Sequence, residues 1–308
     1  MSRRSPRENG AGGRILTSFR YGFFLVLAMS AFGTPGYAGQ PTSPIPLSGN
    51  EIETGFNLLY QLKFAEAREQ FLRWGQARPD DPMGHVSLAA SYLFEELCAQ
   101  GVLTSEYFLN DKRFLEGIEG APDPALTGRF TEANTRARNL ARKLLEANSR
   151  DADALLALTI SSGMQSNFES ILHKRQMEGL RHVREAEGFA SRLLRLRPDA
   201  ADAWLAIGAA NYIVGSLPRH FRFFLWFGGY RGDRRRGMEQ LTIAAEKGRY
   251  LRPFAKIILG LAALREKQSD VARRQFADLT AEFRDNHLFA IELANIEKRA
   301  SPVESSRD

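Results

Sequence analysis

A spacing that recurs along the chain constrains the fold more than any composition figure. Gly55, Ala67, Phe71 and Pro79 stand 12, 4 and 8 residues apart, and Gly260, Ala272 and Phe276 repeat the first two intervals, with Leu279 following. In between, ARKLLEANSRDADALLAL at 141–158 matches ASRLLRLRPDAADAWLAI at 190–207, an offset of 49. Self-similarity with a period of this order marks stacked units that bury their apolar faces against their neighbours. Apolar residues keep helical spacing throughout, and no period-2 run of strand length stands out. Stretches such as Ala65–Glu69 and Asp270–Arg274 are strong helix formers. Pro or Asp at 79–81, 149–151 and 198–199 punctuates the series. The pattern predicts an all-α superhelix of antiparallel helix pairs over residues 48–299, with a disordered tail at 300–308.

Residues 48–81 resemble a tetratricopeptide repeat, a 34-residue unit with small residues at positions 8 and 20, Phe at 24 and Pro at 32. The two helices of a unit approach most closely at position 8, so that residue must be small. Phe at 24 plugs the gap, and Pro at 32 stops the second helix. A second unit covers 253–286, with Arg284 where the proline would stand. A third is split: Ala186, Ala190 and Leu193 lead to Pro198, after which Trp204, Ile207 and Gly208 open the next unit. The offset of 49 then means an insertion of 15 residues. The resemblance implies a concave face lined by positions 2, 5, 9, 12 and 13 of each first helix. On this chain those positions include Ile52, Phe56, Leu59 and Tyr60; Asp202, Leu205, Ala209, Tyr212 and Ile213; and Phe254, Ile257, Leu261, Leu264 and Arg265. A repeat that clamps a carboxylate would carry Lys, Arg and Asn there. These residues are mostly apolar.

Two segments break the register. Residues 99–130 hold Gly101, Gly117, Gly120, Pro122, Pro124 and Gly128, and read as a surface excursion with one short helix near Ser105–Glu116. Residues 212–237 mix Phe221, Phe223, Phe224, Trp226, Phe227 and Tyr230 with Arg219, Arg222, Arg231, Arg234, Arg235 and Arg236. The run Gly215-Ser216-Leu217-Pro218, then Gly228-Gly229-Tyr230-Arg231-Gly232-Asp233-Arg234 and Gly237 with Leu241, is similar to a segment of the tetratricopeptide repeat protein 39 and inclusion-body-clearance family. It also resembles a group of exported bacterial repeat proteins. The likeness covers about residues 200–260 and implies a scaffold without an activity. Asp233 is placed to N-cap the following helix. The aromatic–arginine stretch has two readings: it packs into the groove of its own array, or it forms a surface patch of Phe224, Trp226, Phe227, Arg231, Arg234 and Arg235 in peripheral contact with a membrane.

The formal net charge of +6 invites an anionic partner, but its source lies at the N-terminus. Arg3, Arg4, Arg7, Arg14 and Arg20 face one acid, Glu8, and precede the apolar run Tyr21–Phe32. Gly33, Pro35 and Gly36 break that run, and Gly36-Tyr37-Ala38 offers small residues for a cut after Ala38. Residues 1–38 therefore read as a signal peptide, with an uncleaved anchor as the alternative. Residues 39–47, with Pro41, Pro44 and Pro46, form a Pro-rich linker. Cleavage removes five arginines and one glutamate, leaving a mature charge of +2 and little support for a nucleic-acid partner.

Catalytic patterns are scarce. There is no Gly-x-Ser-x-Gly, no His-Glu-x-x-His and no phosphate-cradling glycine loop. Cys98 sits in an apolar helical stretch and reads as a small buried hydrophobe. Glu178, His182 and Glu185 share a helix face, which favours an ion pair over a metal site because no second cluster completes the ligands. The sequence thus points to a non-enzymatic scaffold in the cell envelope, without cofactor or metal. Its concave face would take an amphipathic helix of another envelope protein. The alternative is a periplasmic binding component for an apolar, lipid-like ligand.

Overall fold

The computed structural model describes residues 51–217, 219–227 and 229–300, leaving aside the side chains of Asp111, Phe114, Leu115, His220, Phe221, Phe224, Leu225 and Ala300. The signal-peptide, linker and most of the tail assignments (1–38, 39–47 and 301–308) lie outside these residues. The described residues form helices joined by turns and short irregular segments, with no strand among them. In chain order they are α1 (Glu51–Tyr60), α2 (Phe64–Ala77), α3 (Pro82–Ala99), α4 (Ser105–Leu109), α5 (Asp111–Glu116), α6 (Pro124–Ala147), α7 (Ala152–Asn167), α8 (Gln176–Leu196), α9 (Ala203–Ser216), α10 (Arg219–Phe227), α11 (Arg234–Lys247), α12 (Arg252–Arg265), α13 (Ser269–Glu282) and α14 (His287–Ala300). A π turn, Phe168–Leu172, links α7 to α8.

The helix starts follow from local chemistry. Asp81, Asp123 and Asp151 turn their carboxylates onto Met83, Ala125 and Ala154 N–H groups at 2.7–2.8 Å, and Pro82 and Pro124 occupy first-turn positions where no donor is lost. Asp233 caps α11 through the Arg236 N–H at 3.1 Å, as the sequence predicts.

Each helix packs on the next in the order α1, α2, α3, α6, α7, α8, α9, α11, α12, α13, α14, while α4, α5 and α10 stand outside that order as insertions. The pairs α1/α2, α3/α6, α7/α8, α9/α11 and α12/α13 are the repeats. A Cβ on Gly55 would lie 2.3 Å from the Phe71 ring, and one on Gly260 would lie 2.7 Å from Phe276, so positions 8 and 24 do meet. The first and last pairs also share a turn. Leu62 and Lys267 adopt φ of 63° and 60°, while Lys63 N–H reaches Leu58 O at 2.9 Å and Gln268 N–H reaches Ala263 O at 2.8 Å. This is the left-handed C-terminal stop of a helix. Leu62 and Lys267 are separated by the same interval as Gly55 and Gly260.

The pair α9/α11 keeps the register around its insertion. Gly208 and Gly237 approach so closely that a Cβ on Gly237 would fall 2.6 Å from Tyr212 N and 2.8 Å from Gly208 O. Leu241, four residues on from Gly237, is buried where Phe would plug an uninterrupted unit. Gly215, Gly232 and Gly237 of the motif thus serve close backbone approach. Gly232 faces Gly215, and Gly229 takes φ of 77°.

Helix α7 lies at the centre, against α6, α8, α3 and α9. Its buried Thr159 and Asn167 donate to carbonyls one turn back, Leu155 O at 2.9 Å and Gly163 O at 3.0 Å, which spares unpaired donors in the core.

Candidate functional site: the seam of a closed array

The array is wound tightly enough for its first and last repeats to touch. Phe56 of α1 sits edge-on to Phe71 (centroids 5.4 Å apart) and 5.7 Å from Tyr250, 194 residues along the chain. Tyr60 donates its hydroxyl to Tyr250 O at 3.0 Å and packs 5.5 Å from Phe283. Asn286 returns a hydrogen bond to Tyr60 O at 2.8 Å. Glu53 pairs with Arg249, and Lys63 with Asp285 at 2.6 Å, on the rim. From α3, Phe94 meets Phe254 of α12 edge-on at 5.8 Å.

Asp202 holds one side of this seam. Its buried carboxylate accepts the Arg249 N–H at 3.0 and 3.1 Å and the Leu251 N–H at 3.0 Å, fixing the segment that presents Tyr250. Burial raises its pKa to about 7, against the opposing pull of these backbone donors. Burial likewise pushes the Tyr60 hydroxyl well above its ordinary value, with the Asp202 charge adding to the effect.

The concave-face residues expected from the repeat register are mostly buried. Ile52, Phe56, Leu59, Tyr60, Leu205, Ala209, Tyr212, Ile213, Phe254 and Leu261 are buried and Ile257 is half-buried. Tyr212 donates to Ala262 O and Glu266 at 3.3 and 3.2 Å. The face is therefore closed. Its ends meet each other, and the first insertion, read from sequence as a surface excursion, supplies the plug. In place of one helix near Ser105–Glu116 there are two, broken at Asn110. Tyr107 and Phe108 of α4 are buried, and α4 packs on α12. Arg265 donates to Phe108 O at 3.0 Å, and the Ser105 N–H reaches Glu292 of α14 at 2.9 Å. The adjacent aromatics of that excursion were its signal; nothing in the register says which helix they meet.

An apolar pocket of ≈ 70 Å³ remains at the seam. Leu59 and Tyr60 of α1, Phe94 of α3, Phe108 of α4, Ile257 and Leu261 of α12 line it, with Leu288 and Phe289 of α14. Five of the residues singled out from sequence, Leu59, Tyr60, Phe254, Ile257 and Leu261, are thus brought together. Leu205, Ala209 and Tyr212 are held elsewhere in the core.

The aromatic–arginine segment is arranged otherwise. Phe223, Trp226 and Phe227 of α10 are 59%, 52% and 69% exposed, so these three rings do not fill a groove. Arg231, Arg234 and Arg235 are exposed as well, and Phe224 belongs to the same helix. Glu178, His182 and Glu185 do not converge on one point. His182 Nδ1 lies 3.1 Å from Glu185, which binds Arg138 at 2.6 Å, while Glu178 pairs with Arg181. Although burial alone would raise the Glu185 carboxyl, His182 and Arg138 bring it down to about 2. No group of three or more His, Cys, Asp or Glu residues suited to a metal ion occurs among the described residues. Cys98 is half-buried, its thiol pushed up by burial.

No family model matches the chain, and no curated protein sequence matches it. Among solved structures it is similar to a thermophilic TPR protein of Thermus thermophilus, at 13% identity and a TM-score of 0.42, over 80% of this chain and 97% of that one. The class of the chain, an all-α helical-repeat array, rests on its own helix pairs.

Proposed function

We propose that this chain is a non-enzymatic scaffold of the tetratricopeptide kind, exported to the bacterial cell envelope, which holds a partner protein at the seam of its closed array. The apolar seam pocket carries the reading. Its ≈ 70 Å³ is about half of the roughly 150 Å³ that admits benzene in an engineered cavity. That space suits one aliphatic side chain projecting from an amphipathic helix of the partner. A lipid chain is several times larger and would enter only if the ends of the array separated. Export is supported by the basic stretch, apolar run and small-residue site of residues 1–38.

Cross-linking tests the reading. A photoreactive residue in place of the half-buried Ile257 is expected to capture, in envelope fractions, one polypeptide whose cross-linked peptide is an amphipathic helix. Ile257→Trp, which fills the pocket, should weaken that capture about tenfold or more with little change in Tm. Capture that is indifferent to Ile257→Trp refutes the assignment. The second reading, an apolar small ligand, rests on the same lining, and predicts a co-purifying molecule in native mass spectra that Ile257→Trp displaces.

A further inference from the structure

Helix α10 stands outside the chain of successive helix pairs, and it carries the largest concentration of exposed aromatic surface among the described residues. Phe223 and Trp226 each stand edge-on to Phe227, with centroids 5.1 and 5.2 Å apart, and all three rings are more than half exposed. Described side chains hold the helix at its base. Arg222 donates to Gly215 O at 3.3 Å, and Arg184 grips the following turn through Gly229 O and the Tyr230 ring. A contiguous cluster of Phe and Trp exposed to this degree marks an interaction surface.

The charge around it says for what. Arg219, Arg222, Arg231, Arg234, Arg235 and Arg236 are all exposed, against one acid, Asp233, so residues 219–236 carry +5 on a mature chain of +2. Asp233 is already committed to capping α11. Between the base of α10 and the start of α11 lies an open polar cleft of ≈ 420 Å³, lined by Arg222, Arg234 and Arg235 with Gly215, Gly232 and Glu266. Glu266 is engaged by Arg234 at 3.3 Å and by Tyr212, Arg222 spends one donor on Gly215 O, and Arg235, 89% exposed, lies 4.0 Å from Glu239; the remaining guanidinium donors of Arg222 and Arg235 face the cleft. Aromatics that seek the headgroup–acyl boundary, set beside arginines that seek phosphate, are the two components of interfacial membrane binding.

We propose that α10 is an interfacial anchor that seats the array on an anionic phospholipid bilayer. Phe223, Trp226 and Phe227 enter the boundary layer, and the Arg222–Arg235 cleft receives a lipid phosphate.

The test uses the full chain and vesicles of phosphatidylcholine, with and without phosphatidylglycerol. Sedimentation with the anionic vesicles should fall at least tenfold in Trp226→Ala/Phe227→Ala. With about 1 kcal/mol per arginine near such a surface, Arg222→Gln/Arg231→Gln/Arg235→Gln should reduce the preference for anionic over neutral vesicles roughly a hundredfold. Trp226→Phe keeps an aromatic ring and should sediment as the parent does. Subtracting its fluorescence isolates the Trp226 signal from Trp74 and Trp204, and that signal should be quenched by spin-labelled acyl chains. Soluble glycerol phosphate should not compete. The proposal is overturned if the alanine variant sediments unchanged, which would assign binding to residues outside α10, or if Trp226 escapes quenching. It is equally overturned if glycerol phosphate alone displaces the chain, or if vesicles are ignored while an acidic protein binds α10.

Discussion

Asp202→Ala tests whether one buried carboxylate keeps the array closed. In the folded chain it accepts the Arg249 and Leu251 N–H groups, both at 3.0 Å, and the Leu251 bond is fully buried. Alanine leaves these donors without their acceptor, at about 1–3 kcal/mol for each that stays buried, so a loss of about 3–5 kcal/mol is expected. For a chain of this size 1 kcal/mol corresponds to roughly 2–4 °C, and Tm should fall by about 10 °C. The pH dependence provides an independent reading. The folded value of about 7 lies above the ordinary 3.8, so the stability that Asp202 supports is complete below pH 3.8 and is lost as pH rises through 7. At about 1.4 kcal/mol per unit the full span is about 4 kcal/mol. Urea unfolding followed by circular dichroism should therefore show the parent gaining stability from pH 8 to pH 5. Asp202→Asn, neutral throughout and still an acceptor through one oxygen, should flatten that slope. A parent whose stability is level across the interval, or an alanine variant within about 2 °C of it, refutes the reasoning.

Three further outcomes follow from the packing. Gly237→Ala forces a methyl into backbone atoms of α9 and should cost about 3 kcal/mol or more in urea unfolding. Gly188→Ala, in the exposed interior of α8 with nothing within 4 Å, should instead stabilise by about 0.5–1 kcal/mol. Phe108→Ala empties a buried site between α4 and α12 and should cost about 3–5 kcal/mol. Amide exchange should then quicken in α4 and at the Tyr60–Tyr250 contact; protection confined to wild-type levels at the seam would show that α4 is no plug.

What could be read from the chain beforehand has a physical boundary. Gly55 with Phe71, and Gly260 with Phe276, are contacts inside one helix pair, set by a dozen or so residues of local spacing. The Asp233 cap is more local still. The same logic found Gly208 but not its partner Gly237, because the insertion carrying α10 displaces the second half of the unit. The contact between Tyr60 and Tyr250 belongs to another kind of quantity. It depends on the sum of small rotations over all the pairs, and no single pair encodes that sum. For the same reason the lining of the seam was half legible. Leu59, Tyr60, Ile257 and Leu261 sit at register positions, whereas Phe94, Phe108 and Phe289 arrive from helices whose meeting depends on the winding.

An open solenoid can gain or lose a unit and remain a solenoid, because each unit answers only to its neighbours. The hydrogen bonds of Tyr60 to Tyr250 and of Asn286 to Tyr60 remove that freedom. One unit more would carry Tyr250 past Tyr60, and one unit fewer would leave it short. The number of repeats in this chain is thereby a fixed dimension, as strand number is in a barrel. Descendants of such a sequence are expected to vary in the loops and to conserve the count.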